Sequence, residues 1–297
     1  MCATKIIKSM ITKKISLSLL FFFFLMTIYA KEIKVLAIGN SFSDDAIEHY
    51  LYQLAATNGD TLIIGNLVIG GASLELHDNN ATQNNPTYSY RKIVKGKKMI
   101  ITQTTLEEGI KDEEWDYISL QQVSHNAGLY DTFFPYLPRM IDYVKQHATN
   151  SNMQIILHMT WAYAQDAAHL GFANYDKDQH LMYDMIVETI NKVADEVKIT
   201  TIVPSGTAIQ NARTSGLGDT LCKDGFHLES TYGRYTAACT WYEVLTRNCV
   251  VGNSYKPDTI DDTEAFIAQI SAHFAVENPR KITNLPVYKE CAGSPQE

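Results

Sequence analysis

Apolar residues along this chain occur in short continuous runs that alternate with amphipathic stretches. Runs typical of buried strands lie at 33–38, 61–69, 115–120, 153–159 and 199–203. Between them, apolar residues recur at helical spacing, for example over 46–57 and 178–197. Strands that alternate with helices predict βαβ units, in which helices cover both faces of a parallel sheet. We therefore predict a three-layer α/β/α sandwich with roughly five parallel strands.

Two regions interrupt this alternation. Residues 77–97 are polar and irregular, and the runs 88–94 and 99–103, joined by a Lys-Gly-Lys-Lys segment, predict an inserted β-hairpin. After residue 250 the pattern predicts one more helix, over 261–274. We expect residues 31–250 to form one domain and 251–297 a helical extension packed on it.

The first thirty residues have a different character. Four lysines precede an apolar run over 15–28, and the small residue Ala30 follows it. A basic head, an apolar middle and a small residue at the exit are typical of a secretory signal peptide, and the run is short for a membrane span. We expect cleavage near Ala30 and export to the periplasm or the outside of the cell.

The charge balance narrows the choice of partners. Loss of residues 1–30 removes four lysines and no acidic residue, which changes the net charge from −8 to −12. An acidic chain without a basic cluster is a poor binder of nucleic acid or anionic membrane. A neutral, hydroxyl-rich substrate fits better. Export permits disulfides, but the pairing of the four remaining cysteines stays open: Cys222, Cys239, Cys249 and Cys291.

Ser41 lies where the first strand gives way to the first helix. Gly39 ends the strand, and Ser43, Asp44 or Asp45 can cap the helix that follows. The hydroxyl of Ser41 is therefore expected at the carboxyl edge of the sheet, where open α/β folds bind their ligands. The simpler alternative is a capped turn in which the serines only satisfy backbone groups.

Asp224 and His227 form a second polar pair near the last domain helix. If the chain turns at Gly225, the carboxylate lies behind the imidazole. A histidine that removes a proton from serine needs such a partner to fix its tautomer. The alternative is a capping aspartate beside a half-buried histidine, because a D-x-x-H spacing is common by chance.

Four features in this order resemble the SGNH (GDSL-like) hydrolase superfamily of esterases, lipases and carbohydrate deacetylases. They are the serine after the first strand, Gly70-Gly71 after the second, a polar cluster after the third, and D-x-x-H before the last domain helix. The resemblance covers most of 32–250, and it is closest to a bacterial branch whose first block reads G-N-S-F-S.

This resemblance implies a role for each matching residue. Ser41 corresponds to the nucleophile, His227 to the general base and then acid, and Asp224 to its orienting partner. The N–H groups of Ser41 and Gly71 correspond to oxyanion donors, together with a side-chain amide. The third block departs from the family's Gly-x-Asn-Asp pattern, so Gln122 is our first choice for the amide, with Gln121 and Asn126 as alternatives.

Other polar and aromatic residues are weaker candidates. Asn40, Trp161 and Tyr163 come after predicted strands, and His77 follows the Gly70-Gly71 pair. All four are predicted to contact substrate, the two aromatic residues as a platform for a sugar or acyl group. No histidine pair has the spacing of metal ligands, so we predict neither metal nor cofactor.

The sequence thus predicts an exported serine esterase that forms an acyl-enzyme on Ser41 and removes O-acyl groups, such as acetyl, from carbohydrates. A lipase or a thioesterase is a less favoured alternative among enzymes. A catalytically inactive SGNH-like module that binds glycans is the alternative from another class, and the altered third block favours it.

Overall fold

The structure, a computed structural model, describes residues 31–285 and is built around a seven-stranded sheet. The strands follow the order β4-β3-β2-β1-β5-β6-β7. Their bounds are β1 Glu32–Gly39, β2 Thr61–Val68, β3 Tyr88–Val94, β4 Lys97–Thr104, β5 Tyr117–Leu120, β6 Gln154–His158 and β7 Ile202–Val203. The signal-peptide prediction and Cys291 fall outside the described residues.

Five of these strands run parallel, as the alternating pattern predicts. They are β2, β1, β5, β6 and β7, and each pairs in parallel with its neighbour. The remaining two strands form the predicted hairpin, in which β3 pairs antiparallel with both β2 and β4. The hairpin extends the parallel sheet beyond β2, and this explains the difference between the predicted and observed strand numbers.

Nine α-helices in residues 31–285 complete the layers: α1 Ser41–Ile47, α2 Leu51–Thr57, α3 Leu74–Gln83, α4 Leu106–Lys111, α5 Tyr136–His147, α6 Gln179–Val197, α7 Ser205–Arg213, α8 Tyr232–Thr246 and α9 Asp262–Glu277. Helices α1, α2, α7 and α9 pack against α8, whereas α3 and α4 pack against α5. Helices thus flank the sheet, which confirms the predicted α/β architecture. None of the helices in this described part of the chain is long and apolar enough to cross a membrane.

Two helices differ from the sequence-based prediction. Helix α1 begins at Ser41, earlier than expected, because the Asn40 carboxamide oxygen accepts the N–H of Phe42 at 3.0 Å and caps the helix. Helix α3 lies partly in the segment predicted to be irregular. Its cap is the Ser73 hydroxyl, and its buried face includes polar residues that do not reveal helical periodicity.

The last helix belongs to the same packed structure as the sheet. Asp261 and Glu264 form a capping box at the start of α9, so two backbone N–H groups of the first turn are satisfied. The helix then packs along α8 and α7. The predicted extension after residue 250 is therefore packed on the domain over the length of α9.

Candidate active site

The topology places Ser41 at a point where ligands commonly bind in this class of fold. Strand β1 lies in the middle of the sheet, with β2 on one side and β5 on the other. The strands that come next along the chain, β2 to β4, lie on one side of β1, and the later strands β5 to β7 lie on the other. A reversal of strand order of this kind creates a crevice at the carboxyl end of β1. Ser41 is the first residue of α1, directly after the cap residue Asn40. The nucleophile candidate therefore lies at the topological switch point.

Ser41, His227 and Asp224 form a continuous chain of hydrogen bonds, which we call the Ser41 triad. Ser41 Oγ lies 2.8 Å from His227 Nε2. His227 Nδ1 lies 2.7 Å from Asp224 Oδ2. The predicted meeting of these three side chains, across 186 residues of sequence, is confirmed. The triad is accessible to solvent, because the side chains of His227 and Asp224 are 26% and 42% exposed.

The segment that carries His227 is folded by its own local contacts. Asp224 Oδ1 accepts the backbone N–H groups of Phe226 and His227, at 3.2 and 2.7 Å. Gly225 has a φ of +89°, a conformation that favours glycine, and a side chain there would lie 2.9 Å from Ala167. The predicted turn at Gly225 is thus confirmed, and it is what brings the carboxylate behind the imidazole.

The electrostatics of the triad favour an ionised aspartate. Partial burial acts to raise the pKa of the Asp224 carboxyl, but hydrogen bonds from the His227 ring and from two backbone N–H groups outweigh it. The net result is a pKa below the ordinary value. An ionised carboxylate accepts a hydrogen bond from the Nδ1–H group, which leaves the unprotonated Nε2 to accept the proton of Ser41.

A second hydrogen-bond chain starts at the neighbouring residue, Asn40, and we call it the His158 chain. Gln121 Nε2 donates to Asn40 Oδ1 at 2.9 Å, and Gln121 Oε1 accepts from His158 Nδ1 at 2.8 Å. His158 Nε2 then lies 3.0 Å from the hydroxyl of Ser205. All four residues are buried, and burial lowers the pKa of His158 to about 3. This chain holds the helix cap in place.

Two backbone N–H groups, those of Ser41 and Gly71, lie just after β1 and β2 and are free to donate a hydrogen bond. Within the described residues, no acceptor is hydrogen-bonded to the N–H of Ser41 or of Gly71. Gly71 has a φ of +68°, and there is open space around the position that a side chain would take. These two groups match the donors that the family resemblance implies.

The amide predicted to join them is placed differently. Gln122 Nε2 donates to the carbonyl oxygen and the hydroxyl of Thr132, at 2.8 and 3.2 Å, and its Oε1 accepts the N–H of Leu74. Its amide therefore ties two loops together, which does not fit the predicted oxyanion role. The alternative Gln121 is used in the His158 chain. Asn126 is half-buried, and its carboxamide has no hydrogen-bond partner in the described part of the chain.

The four predicted substrate contacts are buried, so these predictions are corrected. Trp161 and Tyr163 are fully buried, the first stacked on Phe42 at a ring-centroid distance of 4.4 Å. His77 is also fully buried and contacts the hydroxyl of Tyr88. Asn40 is 1% exposed and acts as the cap of α1. Asn40, Trp161 and Tyr163 follow strand ends where helices and loops cover the edge of the sheet, and His77 lies on the buried face of α3.

Half-buried rings that the sequence analysis did not single out as substrate contacts lie next to His227. The Phe226 ring centroid is 4.2 Å from that of His227, and His169 follows at 5.0 Å from Phe226. His125 stacks on His169 at 5.7 Å. The position of Phe226 inside the D-x-x-H motif was the only signal for this row of rings.

Within residues 31–285, one group of side chains that can bind a metal comes together, and it includes no residue of the Ser41 triad. Glu243, Cys249 and His273 have ligand atoms within 4.8 Å of one another. Glu243 Oε1 accepts from His273 Nδ1 at 2.7 Å, and its Oε2 accepts the N–H of Val250, so the carboxylate is satisfied by the protein. Cys222 is a free thiol whose pKa burial raises to about 11, which argues against a nucleophilic role.

A surface groove of about 920 Å³ lies elsewhere, between α6, β7 and α8. Its lining includes none of the triad residues, and neither histidine nor cysteine. Because its lining has no hydroxyl or thiol nucleophile beside a histidine base, size alone does not make it the reaction site. The Ser41 triad is the candidate that has both.

A sequence model of the DUF4886 family, described as a domain of unknown function, matches residues 34–275. The chain belongs to the DUF4886 family. A DUF4886 family protein from Bacteroides uniformis, known from a crystal structure, is 50% identical in sequence to this chain and superimposes with a TM-score of 0.84. That match covers 86% of this chain and 98% of the other. No curated protein sequence matches this DUF4886 chain.

More distant structures are similar at low identity. A candidate SGNH hydrolase from Slackia heliotrinireducens has 18% identity and a TM-score of 0.49, with 72% of this chain and 98% of that one covered. An acetyl-xylooligosaccharide esterase from Geobacillus stearothermophilus has 13% identity and a TM-score of 0.43, with 77% and 98% covered. At such low identity these structures are similar in fold alone. The reaction of the DUF4886 chain is therefore inferred from its own side chains.

Proposed function

We propose that this protein is a serine ester hydrolase that works through an acyl-enzyme on Ser41. The observation that carries the proposal is the hydrogen-bond chain from Ser41 Oγ through His227 to Asp224, with distances of 2.8 and 2.7 Å. A nucleophile, a base and an orienting acid within such reach form the arrangement that activates a serine hydroxyl. Its place at the switch point of the sheet gives a substrate access to it.

Each step uses atoms of this chain. Ser41 Oγ attacks the ester carbonyl carbon while its proton passes to His227 Nε2, and the carbonyl oxygen becomes the oxyanion. Collapse of this intermediate breaks the bond to the alcohol oxygen, which takes the proton from Nε2. A water molecule then attacks the acyl-enzyme, giving its proton to the same nitrogen, and the acid leaves as Ser41 recovers its hydrogen.

The N–H groups of Ser41 and Gly71 are our proposed oxyanion donors. Both lack an acceptor within residues 31–285, and a donor of this kind contributes about 3–4 kcal/mol to the stability of the transition state. Gln122 is not retained in this role, because its amide binds Thr132. Asn126, with its free carboxamide, is the remaining side-chain candidate.

For the substrate we propose an O-acyl group, such as acetyl, on a carbohydrate, which the exported protein would meet outside the cytoplasm. The acidic net charge of the chain, −8, disfavours anionic polymers, and the row of rings beside His227 offers surfaces on which a sugar ring can pack. The rings adjoin the histidine that protonates the leaving alcohol, so they lie on the side of the alcohol component. Export itself rests on residues 1–30, and amino-terminal sequencing of the secreted protein tests it.

A small chromogenic acetyl ester separates this proposal from its rival. We expect turnover by the wild type and a loss of about 10⁶-fold in kcat for Ser41→Ala. Ser43→Ala is the matched control, since that hydroxyl is buried, two residues away, and bonded to Asn40 and Asn66. Equal turnover by the wild type and Ser41→Ala would remove Ser41 as nucleophile.

A glycan-binding module without catalysis is the second candidate. It is favoured by the amides of Gln121 and Gln122, which are both used within the protein instead of facing Ser41. This reading expects no turnover by the wild type and the same glycan affinity for Ser41→Ala. Calorimetric titration with acetylated and deacetylated xylo-oligosaccharides, beside the ester assay, distinguishes the two.

A further inference from the structure

A buried carboxylate on the nucleophile's own helix contacts the segment that carries the base. Asp45 Oδ2 accepts the backbone N–H of Leu228, the residue after His227, at 2.8 Å. Asp45 Oδ1 accepts from Arg234, with Nε at 2.8 Å and Nη2 at 2.7 Å. The Asp45 side chain is 3% exposed, so these contacts exclude water.

The spacing of Ser41 and Asp45 gives this contact its geometric meaning. The two residues are one helical turn apart in α1, so their side chains lie on the same face. Among the hydrogen bonds of residues 31–285, only two join α1 to residues 221–230: Ser41 to His227 and Asp45 to Leu228. The first must break and reform during each turnover. The second does not take part in proton transfer and can hold the two segments in register.

The other hydrogen bonds of residues 221–230, the histidine segment, join it to parts of the chain outside α1. The Ala164 N–H donates to the carbonyl oxygen of Gly225 at 2.7 Å, and Trp161 Nε1 donates to that of Phe226 at 2.8 Å. Lys223 N–H donates to the carbonyl of His227 itself. These bonds fix the shape of the segment and its attachment to the loop after β6. The Trp161 ring also stacks on Phe42 of α1, so this attachment reaches the helix that carries Ser41 through an apolar contact, which fixes no hydrogen-bond direction.

We propose that Asp45 is a positioning residue, which sets the separation of Ser41 Oγ and His227 Nε2 by tying the backbone at Leu228 to α1, with Arg234 holding its carboxylate. The proposal rests on the proposed esterase function of Ser41 and deepens it. A buried ion pair is weak evidence for stability, because apolar residues of similar size often stabilise a core as well. The ion pair matters here because it fixes the direction of both Asp45 carboxylate oxygens. Oδ2 points toward Leu228 in the histidine segment, and Oδ1 points toward Arg234 in α8.

Asp45→Ala tests the proposal, with Asp44→Ala as the matched control. Asp44 is the adjacent residue of α1 and also pairs with an arginine, Arg91, but it has no contact with the histidine segment. We expect Asp45→Ala to lower kcat by about 10²-fold, with KM within about twofold, because misplacement by about 1 Å has a cost of this size. Asp44→Ala is expected to keep kcat within about twofold while lowering the melting temperature.

A double variant that replaces Asp45 and Arg234 by neutral side chains tests the proposal even if Asp45→Ala does not fold. Asp45→Asn alone turns an amide N–H toward either Arg234 or Leu228, where both partners are donors. In the double variant Asp45→Asn with Arg234→Gln, the glutamine oxygen takes the place of Arg234 Nε and accepts that amide, so the bond to Leu228 is kept. We expect the single variant to be slow and the double variant to recover to within about tenfold of the wild type.

A readout that does not depend on turnover separates this proposal from the esterase itself. The ring signals of His227 in ¹⁵N-histidine NMR spectra, assigned by their loss in His227→Gln, should shift or broaden in Asp45→Ala and not in Asp44→Ala. If the wild type hydrolyses no ester, the proposed function fails and these signals still decide the positioning role. Unchanged signals together with unchanged kcat in Asp45→Ala, or no recovery in the double variant, would overturn it.

Discussion

The Ser41 triad and the His158 chain have the same connectivity and opposite surroundings. In both, a serine hydroxyl contacts Nε2 of a histidine, and Nδ1 of that histidine contacts a side-chain oxygen. In the triad the oxygen belongs to a carboxylate, and both partners reach solvent. In the His158 chain the oxygen belongs to the neutral carboxamide of Gln121, and every member is buried.

This difference shows why hydrogen-bond geometry alone does not make a catalytic site. A proton transferred to His158 would create a cation in the core with only a neutral amide beside it, and burial already holds the pKa of His158 near 3. No ester could reach Ser205, which is fully buried. The triad has the charge to stabilise an imidazolium and the opening to admit a substrate. The His158 chain has the rigidity that suits a support for Asn40.

Replacement of the histidine in each chain gives the largest contrast. His227→Ala removes the proposed base, and we expect kcat for a chromogenic acetyl ester to fall by about 10⁵–10⁶-fold with little change in melting temperature. Steady-state kinetics and thermal unfolding on the same preparation measure both. A loss of less than about tenfold would mean that His227 is structural.

A smaller effect comes from making the triad resemble its buried counterpart. Asp224→Asn puts a carboxamide behind His227, as Gln121 does behind His158. The amide favours the wrong tautomer and does not stabilise the imidazolium, so kcat should fall by about 10⁴-fold while KM changes little. Circular dichroism serves as the folding control. A rate near that of the wild type would show that the charge of Asp224 is not used.

The reverse experiment on the buried chain should affect stability more than rate. His158→Ala leaves a cavity and removes the partner of both Gln121 Oε1 and Ser205 Oγ. We expect the free energy of unfolding to fall by about 2–5 kcal/mol, measured by urea titration. The value of kcat should stay within about tenfold of the wild type, since Ser41 and His227 are untouched. A collapse of kcat in folded protein would make the His158 chain part of the catalytic machinery.

The smallest contrast concerns pH. The pKa of His158 is depressed to about 3 in the folded protein, whereas an unfolded histidine titrates near 6.5, so below that pH the unfolded chain binds the extra proton. Stability therefore falls as the pH drops from about 7 to about 5, and His158 accounts for about 2 kcal/mol of the fall. His77, with a pKa lowered to about 4, acts in the same direction. Urea titrations at both pH values should show a smaller fall for His158→Ala, and an equal fall would contradict this assignment.

Much of the fold could be predicted from the sequence because it depends on local patterns. The five parallel strands, the hairpin and most helices follow from apolar periodicity and from turn residues. Helix α3 was missed because it buries His77, Asp78 and Asn80, which read as surface residues in one dimension. The start of α1 was misplaced because several residues could cap it and only tertiary contacts select Asn40.

The site divides in the same way. Ser41, Asp224 and His227 were predicted to meet because their order along the chain resembles that of a known superfamily, and their side chains do lie within hydrogen-bond distance. Trp161 and Tyr163 were misassigned because a strand end does not tell which side chains the neighbouring helices cover. The pairing of Asp45 with Arg234, 189 residues apart, has no signal in a single sequence.

Ser41 follows β1, which lies between β2 and β5, so the loops after these two neighbouring strands flank it. One follows β2 and carries Gly71, and the other follows β5 and carries Asn126. Neither loop holds the nucleophile, the base or the acid. If the proposed esterase function holds, substitutions in these loops outside Gly71 can change the range of esters accepted, while the proton path from Ser41 to Asp224 stays intact.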